Sequence, residues 1–406
     1  MRKLVILGCL SYLVIGLGHV AVGSVMEQLV LKYRLDYAGG GQLITNQFLG
    51  FLAGVLLAPW LARKLGRRNA VRLSLISFAA AEIGYAFEPA WGLMLMLALL
   101  AGFGFGMGEA CIGALIIELI EERKATAMSL LEVFFGVGAL ALPAAAAWLI
   151  ALGYWRWTFG IVASVAGIVL LLWLFMPLGQ AGPHLRRQPA KQGSAGARAP
   201  AAGYKRADAP LLLLGALFFA VYVGVEMSFG NYLPAILGRT AAMSETEATV
   251  SLSLFWAAMS FGRLFIGRVT RRTGYRNFLT VCCACSAAGF VLLTLMNGEA
   301  GATGTIMFTG LSMAGIFAMG LLYMNEAFPD RIDRTTSLMI ACGGVGGALL
   351  PKITGWMLDR FNAVYAIWGF AACALLLLAL MGLISRARGR RGLPGTALAE
   401  MQQLHH

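Results

Sequence analysis

Long apolar runs alternate along the whole chain with short clusters of charge. Twelve runs can be drawn, at 4–31, 40–62, 70–87, 91–120, 126–150, 153–177, 210–237, 246–270, 277–297, 302–328, 335–359 and 362–386. Roughly 20 mainly apolar residues in a helix cross about 30 Å of hydrocarbon, so each run predicts one spanning helix. Arg2-Lys3 leads directly into the first run, which reads as a spanning helix and not as a cleavable leader. The pattern predicts an all-α polytopic membrane protein.

The runs are not independent. A shift of 208 positions carries Gly54 onto Gly262, Arg63-Lys64 onto Arg271-Arg272, Gly66 onto Gly274 and Arg68-Asn69 onto Arg276-Asn277. The same shift carries Ser129-Leu130 onto Ser337-Leu338, and Gly136, Gly138 and Pro143 onto Gly344, Gly346 and Pro351. Two separate blocks sharing one offset mark a duplicated unit, a pattern that in an apolar chain points to a transporter. The predicted organisation is a six-helix bundle over 1–177, a linker over 178–209, a second six-helix bundle over 210–387 and a tail over 388–406. The linker is the one long polar stretch, rich in Gly, Pro, Ala, Arg and Lys without apolar periodicity, and reads as flexible and cytoplasmic.

Composition agrees. The 406 residues are 59% hydrophobic and 13% charged, whereas a soluble domain is about a quarter charged. A net charge of +13 invites a nucleic-acid reading, but its distribution argues against one. With both termini in the cytoplasm, 25 Lys and Arg fall in cytoplasmic segments and 5 on the other side. That bias is the positive-inside rule, with contact to anionic lipid head groups as its corollary. The seven cysteines all lie in apolar runs. Cys282 and Cys285 form a CxxC with no His or further Cys pair beside it, so they read as small packing residues and no metal site is expected. His-Glu-x-x-His, Gly-x-Ser-x-Gly and P-loop patterns are absent, which argues against an enzyme.

Two parallel repeats of six helices are the layout of the major facilitator superfamily. Leu61-Ala62-Arg63-Lys64-Leu65-Gly66-Arg67-Arg68 resembles that superfamily's signature loop between the second and third helices. The family pattern usually has an aspartate where this chain has Arg63, and Arg271 in the repeat. Glu118 or Glu132 is the expected substitute. Arg63, Glu132, Arg263 and Arg271 are accordingly read as cytoplasmic gating residues.

Function should rest on ionisable groups inside the runs, because each costs about 2.5–3.5 kcal/mol or more at the bilayer centre unless it meets water or a partner. These are His19, Glu82, Glu109, Glu132, Glu226, Arg263, Lys352 and Glu326. The resemblance implies that the first, fourth, seventh and tenth helices line a central cavity, which selects His19, Glu109 and Glu226. Glu109 follows Gly102, Gly104, Gly106 and Gly108, which read as small faces for close helix packing. Its repeat mate is Phe317. An unpaired carboxylate in one half suits a proton carrier, the alternative being a structural carboxylate satisfied by a neighbour. Gly18 maps onto Glu226 and His19 onto Met227, so His19 and Glu226 are expected to face each other, as substrate site or as a lock between the halves. Gln47 and Asn231 offer amides, and Trp256 and Trp356 offer flat apolar faces, a set suited to a neutral polyol. Lys352 either snorkels or contacts substrate, and Glu82 has no evident partner in sequence.

Several segments resemble one branch of the superfamily, the sugar symporters related to fucose permease and the bacterial glucose/mannose:proton symporters. They are Gly18-His19…Gly23-Ser24, Gln47 through Leu56, Gly106…Glu109, Leu131 through Leu140, Gly224-Val225-Glu226…Asn231-Tyr232-Leu233-Pro234 and Gly355-Trp356. The resemblance implies proton-coupled uptake of a hexose-type sugar through the cell membrane, with Glu109 as the coupling residue. It further implies a monomer that needs no cofactor beyond the proton gradient. The rival is a proton-driven exporter of drugs or metabolites, whose usual Gly-Pro pair on the fifth helix is replaced here by Leu142-Pro143.

Overall fold

The computed structural model describes residues 2–119, 124–177, 204–241, 243–296 and 298–389. The described residues are almost entirely helical. In chain order the helices are α1 (Arg2–Ser24), α2 (Met26–Tyr33), α3 (Tyr37–Leu65), α4 (Arg67–Ala86), α5 (Trp91–Leu119), α6 (Lys124–Ala151) and α7 (Trp157–Phe175) in the first half. The second half holds α8 (Ala209–Thr240), α9 (Glu245–Leu295), α10 (Glu299–Met313), α11 (Ile316–Glu326), α12 (Ile332–Arg360) and α13 (Ala363–Gly389). Most of the predicted linker lies outside the described residues, and α13 extends slightly past the predicted end of the second bundle.

Twelve passes result. The first is α1 with α2, broken at Val25, and the tenth is α10 with α11, broken at Ala314-Gly315. The eighth and ninth are two arms of α9, which turn over at Gly274. Ten of the described helices are long and apolar enough to span by composition alone. Counting α9 twice leaves only α4 short, and α4 carries Arg67, Arg68, Arg72 and Glu82 in its 20 residues. The even number of passes puts both described ends, Arg2 and Gly389, on one face, here the terminal face, with the turns after α2, α4, α6, α8, α9 and α12 on the opposite face.

The 208-residue repeat has a physical basis in backbone geometry. Gly66 has φ 86° and Gly274 φ 74°, each between two helical arms on the terminal face. A side chain at either position would be strained, which explains why both copies keep glycine there. Close helix contacts repeat as well. Gly16 and Gly138 bring α1 against α6 with backbone carbonyls of Phe135 and Leu13 where a Cβ would stand. Their repeat mates Gly224 and Gly346 bring α8 against α12 in the same way.

The alternating glycines of α5 divide by face. Gly102 and Gly106 meet the Gln47 and Phe51 carbonyls of α3, while Gly50 and Gly54 of α3 meet those of Leu99 and Phe103. Gly104 and Gly108 instead pack on Ser74 and Phe78 of α4. Lipid offers no hydrophobic drive between helices, so close approach of small residues supplies the packing. The signature-loop arginines have a structural task too. Arg68 donates to the carbonyls of Trp173 (2.7 Å) and Met176 (3.0 Å), and Arg72 donates to Trp173 (3.1 Å), closing the C-terminal end of α7. Cations belong there because the unpaired carbonyls carry partial negative charge.

Candidate functional site

The two halves meet at His19. Its Nε2 lies 2.6 Å from Sδ of Met227, the residue 208 positions on. Around the imidazole stand the edges of Phe48, Phe105, Phe135 and Trp256, with ring centroids 5.5 to 6.5 Å away. Trp256 is buried and its indole N–H has no acceptor among the described residues. His19, Val20, Glu226, Met227, Gly230, Asn231 and Trp256 line a pocket of about 160 Å³ of empty space that is too narrow to admit water. The site is shut in this conformation.

His19 does not pair with Glu226, contrary to expectation. Residues equivalent under a two-fold repeat meet where they approach its axis, so His19 takes its mate Met227. Glu226, one position earlier on α8, turns towards α9. There Arg263 places Nη2 3.8 Å from Glu226 Oε1 and Nη1 3.8 Å from Glu132 Oε2. One guanidinium thus bridges a carboxylate of its own half to a carboxylate of the other. Glu226 is buried, while the Glu132 side chain is 51% exposed. Glu109 is half-buried on α5, within electrostatic reach of Glu132 and Tyr12, and makes no hydrogen bond or ion pair among the described residues.

Asn231 donates Nδ2 to the Met227 carbonyl at 2.8 Å and packs against Gly23 of α1. A side chain at position 23 would strike its backbone. Two of the proposed polyol ligands lie elsewhere. Gln47 is buried in the first bundle beside Tyr85, because the α3–α5 glycine contact turns that face of α3 inward. Trp356 is 48% exposed and stacks edge-on against Phe361. Arg63 and Arg271 are exposed on the terminal face with no ion pair among the described residues, so no gate contact is seen for either. The Glu118 side chain lies outside the described residues. Glu326 pairs with Arg388 at 3.2 Å.

Lys352 is exposed and does not line the pocket. Its Nζ meets Gln42 Oε1 at 2.5 Å across the halves. It belongs to a seal at the opposite face that sequence reasoning missed. Asp359 of α12 accepts hydrogen bonds from the backbone N–H groups of Tyr37 (2.8 Å) and Ala38 (2.7 Å), while Asp36 accepts from that of Gly39 (2.7 Å). The first turn of α3 is therefore capped jointly by its own half and by the other. Tyr232 donates to the Tyr37 carbonyl at 2.8 Å, Arg239 lies 4.4 Å from the Tyr37 ring centre, and Thr45 donates to the Ala348 carbonyl at 2.6 Å. Gln28 donates to Glu245 at 2.5 Å. A lone Asp at a helix end gives no signal in sequence that its partner is another helix's N-terminus.

Known proteins share this arrangement. The sequence pattern of the Major Facilitator Superfamily matches residues 8–307. The glucose/mannose transporter GlcP of Bacillus subtilis is 27% identical over 390 residues, covering 96% of each chain. A solved D-xylose–proton symporter has the same fold with TM-score 0.77 at 15% identity, over 94% of this chain and 97% of that one. A bacterial homologue of the human lysosomal transporter Spinster, inward-facing and unoccupied, aligns with TM-score 0.77 at 15% identity over 95% and 96% of the two chains. The duplicated six-pass bundles, the glycine-hinged loops and the sequence match together place this multi-pass membrane protein in the major facilitator superfamily, a family of transporters and not of enzymes.

Proposed function

We propose that the protein imports a neutral hexose-type sugar with protons by alternating access, its termini in the cytoplasm of a cell whose plasma membrane it spans. The observation that carries this reading is the pocket on the repeat axis. Both halves contribute to it, and it combines an imidazole, a carboxylate, an amide and an indole. Hydroxyl groups require neighbours that both donate and accept, and the C–H face of a pyranose stacks on an aromatic ring. The surrounding charge argues against an anionic substrate: Glu109, Glu132 and Glu226 outnumber Arg263, an excess that repels anions. Similarity to a glucose/mannose transporter over nearly the full length supports the same class.

Glu109 is the proposed proton carrier. It is partly open and has no ion-pair partner among the described residues, so it can load and unload without breaking one. Its charge acts on Glu132, and through Arg263 on Glu226 in the pocket wall. Protonation at Glu109 leaves Glu132 less repelled and its bridge to Arg263 stronger, which favours closure on the terminal side. A difference of about 1.4 kcal/mol between the two facings changes their ratio tenfold, so one carboxyl suffices.

The test is uptake of a panel of labelled hexoses, cis,cis-muconate and cationic drugs into proteoliposomes, with and without an inward proton gradient. Accumulation of one hexose only under external acid is the expected result. Gradient-driven extrusion of a drug would replace the reading with the exporter. Glu109→Gln should abolish concentrative uptake while sugar exchange persists, and undiminished acid-driven accumulation in that variant would remove Glu109 from the mechanism.

A further inference from the structure

Away from the central pocket, the first bundle encloses three polar groups that are left without partners. Glu82 of α4 is wholly buried and neither carboxyl oxygen has a hydrogen-bond partner. One turn on, the Tyr85 hydroxyl is also wholly buried and unpartnered. The Gln47 side chain of α3 reaches the Tyr85 hydroxyl from the other side, and its amide nitrogen is buried without completing a hydrogen bond. Orphaned groups of this kind are rare in folded proteins, and three side by side call for a chemical reason.

An ionised carboxylate here would need a cation. None is present among the described residues: α3, α5 and α7 pack against α4, no Lys, Arg or His acts on Glu82, and Tyr85 is the titratable group beside it. The Lys32–Glu88 pair, at 2.5 Å, lies beyond the end of α4. Leaving a bare carboxylate in so dry a place costs far more than a fold can offset, whereas a carboxylic acid can donate its own proton to an adjacent oxygen.

The position of Glu82 makes that proton exchangeable. It sits four residues from the end of α4, about 6 Å of helix from the opposite face. Gln47, which reaches Tyr85, stands two residues from Thr45, whose hydroxyl holds α3 to α12 in the seal. The helix that closes the opposite face therefore also reaches the group beside the carboxyl.

We infer that Glu82 is a second proton site, set beside Tyr85 and separate from the central pocket, that exchanges with water only when α3 parts from α12. When the seal opens, the O–H bond of the Glu82 carboxyl breaks, the proton passes to entering water, and the carboxylate is solvated. Reclosure reverses these steps.

Infrared spectroscopy of the purified protein tests this without reference to substrate. The difference spectrum between wild type and Glu82→Gln should show a protonated-carboxyl carbonyl band, retained in Glu109→Gln. Glu82→Asp should shift the band, which assigns it even if Glu82→Gln does not accumulate. On transfer to deuterated buffer the band should shift slowly in wild type and several-fold faster in Asp359→Ala, whose seal is broken. A carboxylate signal in place of the acid band would overturn the site. Equal exchange rates in the two proteins would overturn its control by α3.

Discussion

His19 and Met227 stand 208 positions apart, the repeat length itself, and touch. Each lies where its half reaches the repeat axis, so in the proposed alternating-access cycle the bundles reorient about this contact. Any ligand entering between the halves must part this pair. His19→Ala should raise the half-saturation concentration for sugar about tenfold, the equivalent of about 1.4 kcal/mol for one lost hydrogen bond and its ring contacts. Quenching of Trp256 emission by added sugar is the direct measurement.

Arg263 serves two carboxylates of unequal burial, and its removal should therefore be asymmetric. Arg263→Met strands Glu226, whose side chain is 9% exposed, and should lower the melting temperature in detergent clearly. Glu132→Gln should cost less than about 1 kcal/mol because the Glu132 side chain is half exposed. The double variant Arg263→Met/Glu226→Gln should recover part of the loss. Equal melting shifts for the two single variants would show that the bridge to Glu226 carries no weight.

Asp359 closes the first turn of α3 from the other half of the molecule. A side-chain cap of this kind is worth about 0.5–2 kcal/mol, enough to change the ratio of open to sealed forms by roughly two- to thirtyfold. Asp359→Ala should lengthen the mean distance between spin labels at positions 34 and 360, and Asp359→Asn should fall between it and wild type.

Glycine substitutions should sort by what faces them. Gly138→Ala and Gly346→Ala push a methyl into the backbone of a neighbouring helix and should impair folding in both halves alike. At Gly167 and Gly382 nothing stands within 4 Å, so alanine there should be neutral or add up to about 1 kcal/mol of helix preference. Detergent melting curves of the four variants are the check.

The breaks between helices explain where sequence reading succeeds. Apolar runs predicted twelve passes because every backbone polar group in lipid must be satisfied within its own helix, leaving one solution for each run. The breaks inside the first and tenth passes, at Val25 and at Ala314-Gly315, needed coordinates, since neither places a charge in the apolar run.

The sequence by itself determined the class, the duplication and the shortlist of buried ionisable groups, because hydropathy, a fixed repeat offset and the cost of charge in lipid are all local properties of the chain. Tertiary structure alone decided which of those groups meet. It gave His19 to Met227 and Arg263 to two glutamates, withdrew Gln47 and Trp356 from the pocket, and brought Asp359 to a helix end more than 300 residues away in the chain. The reason is rotational: helix packing set by glycine contacts fixes which face of each helix turns inward, and in helices apolar on every side the residue types do not reveal that angle.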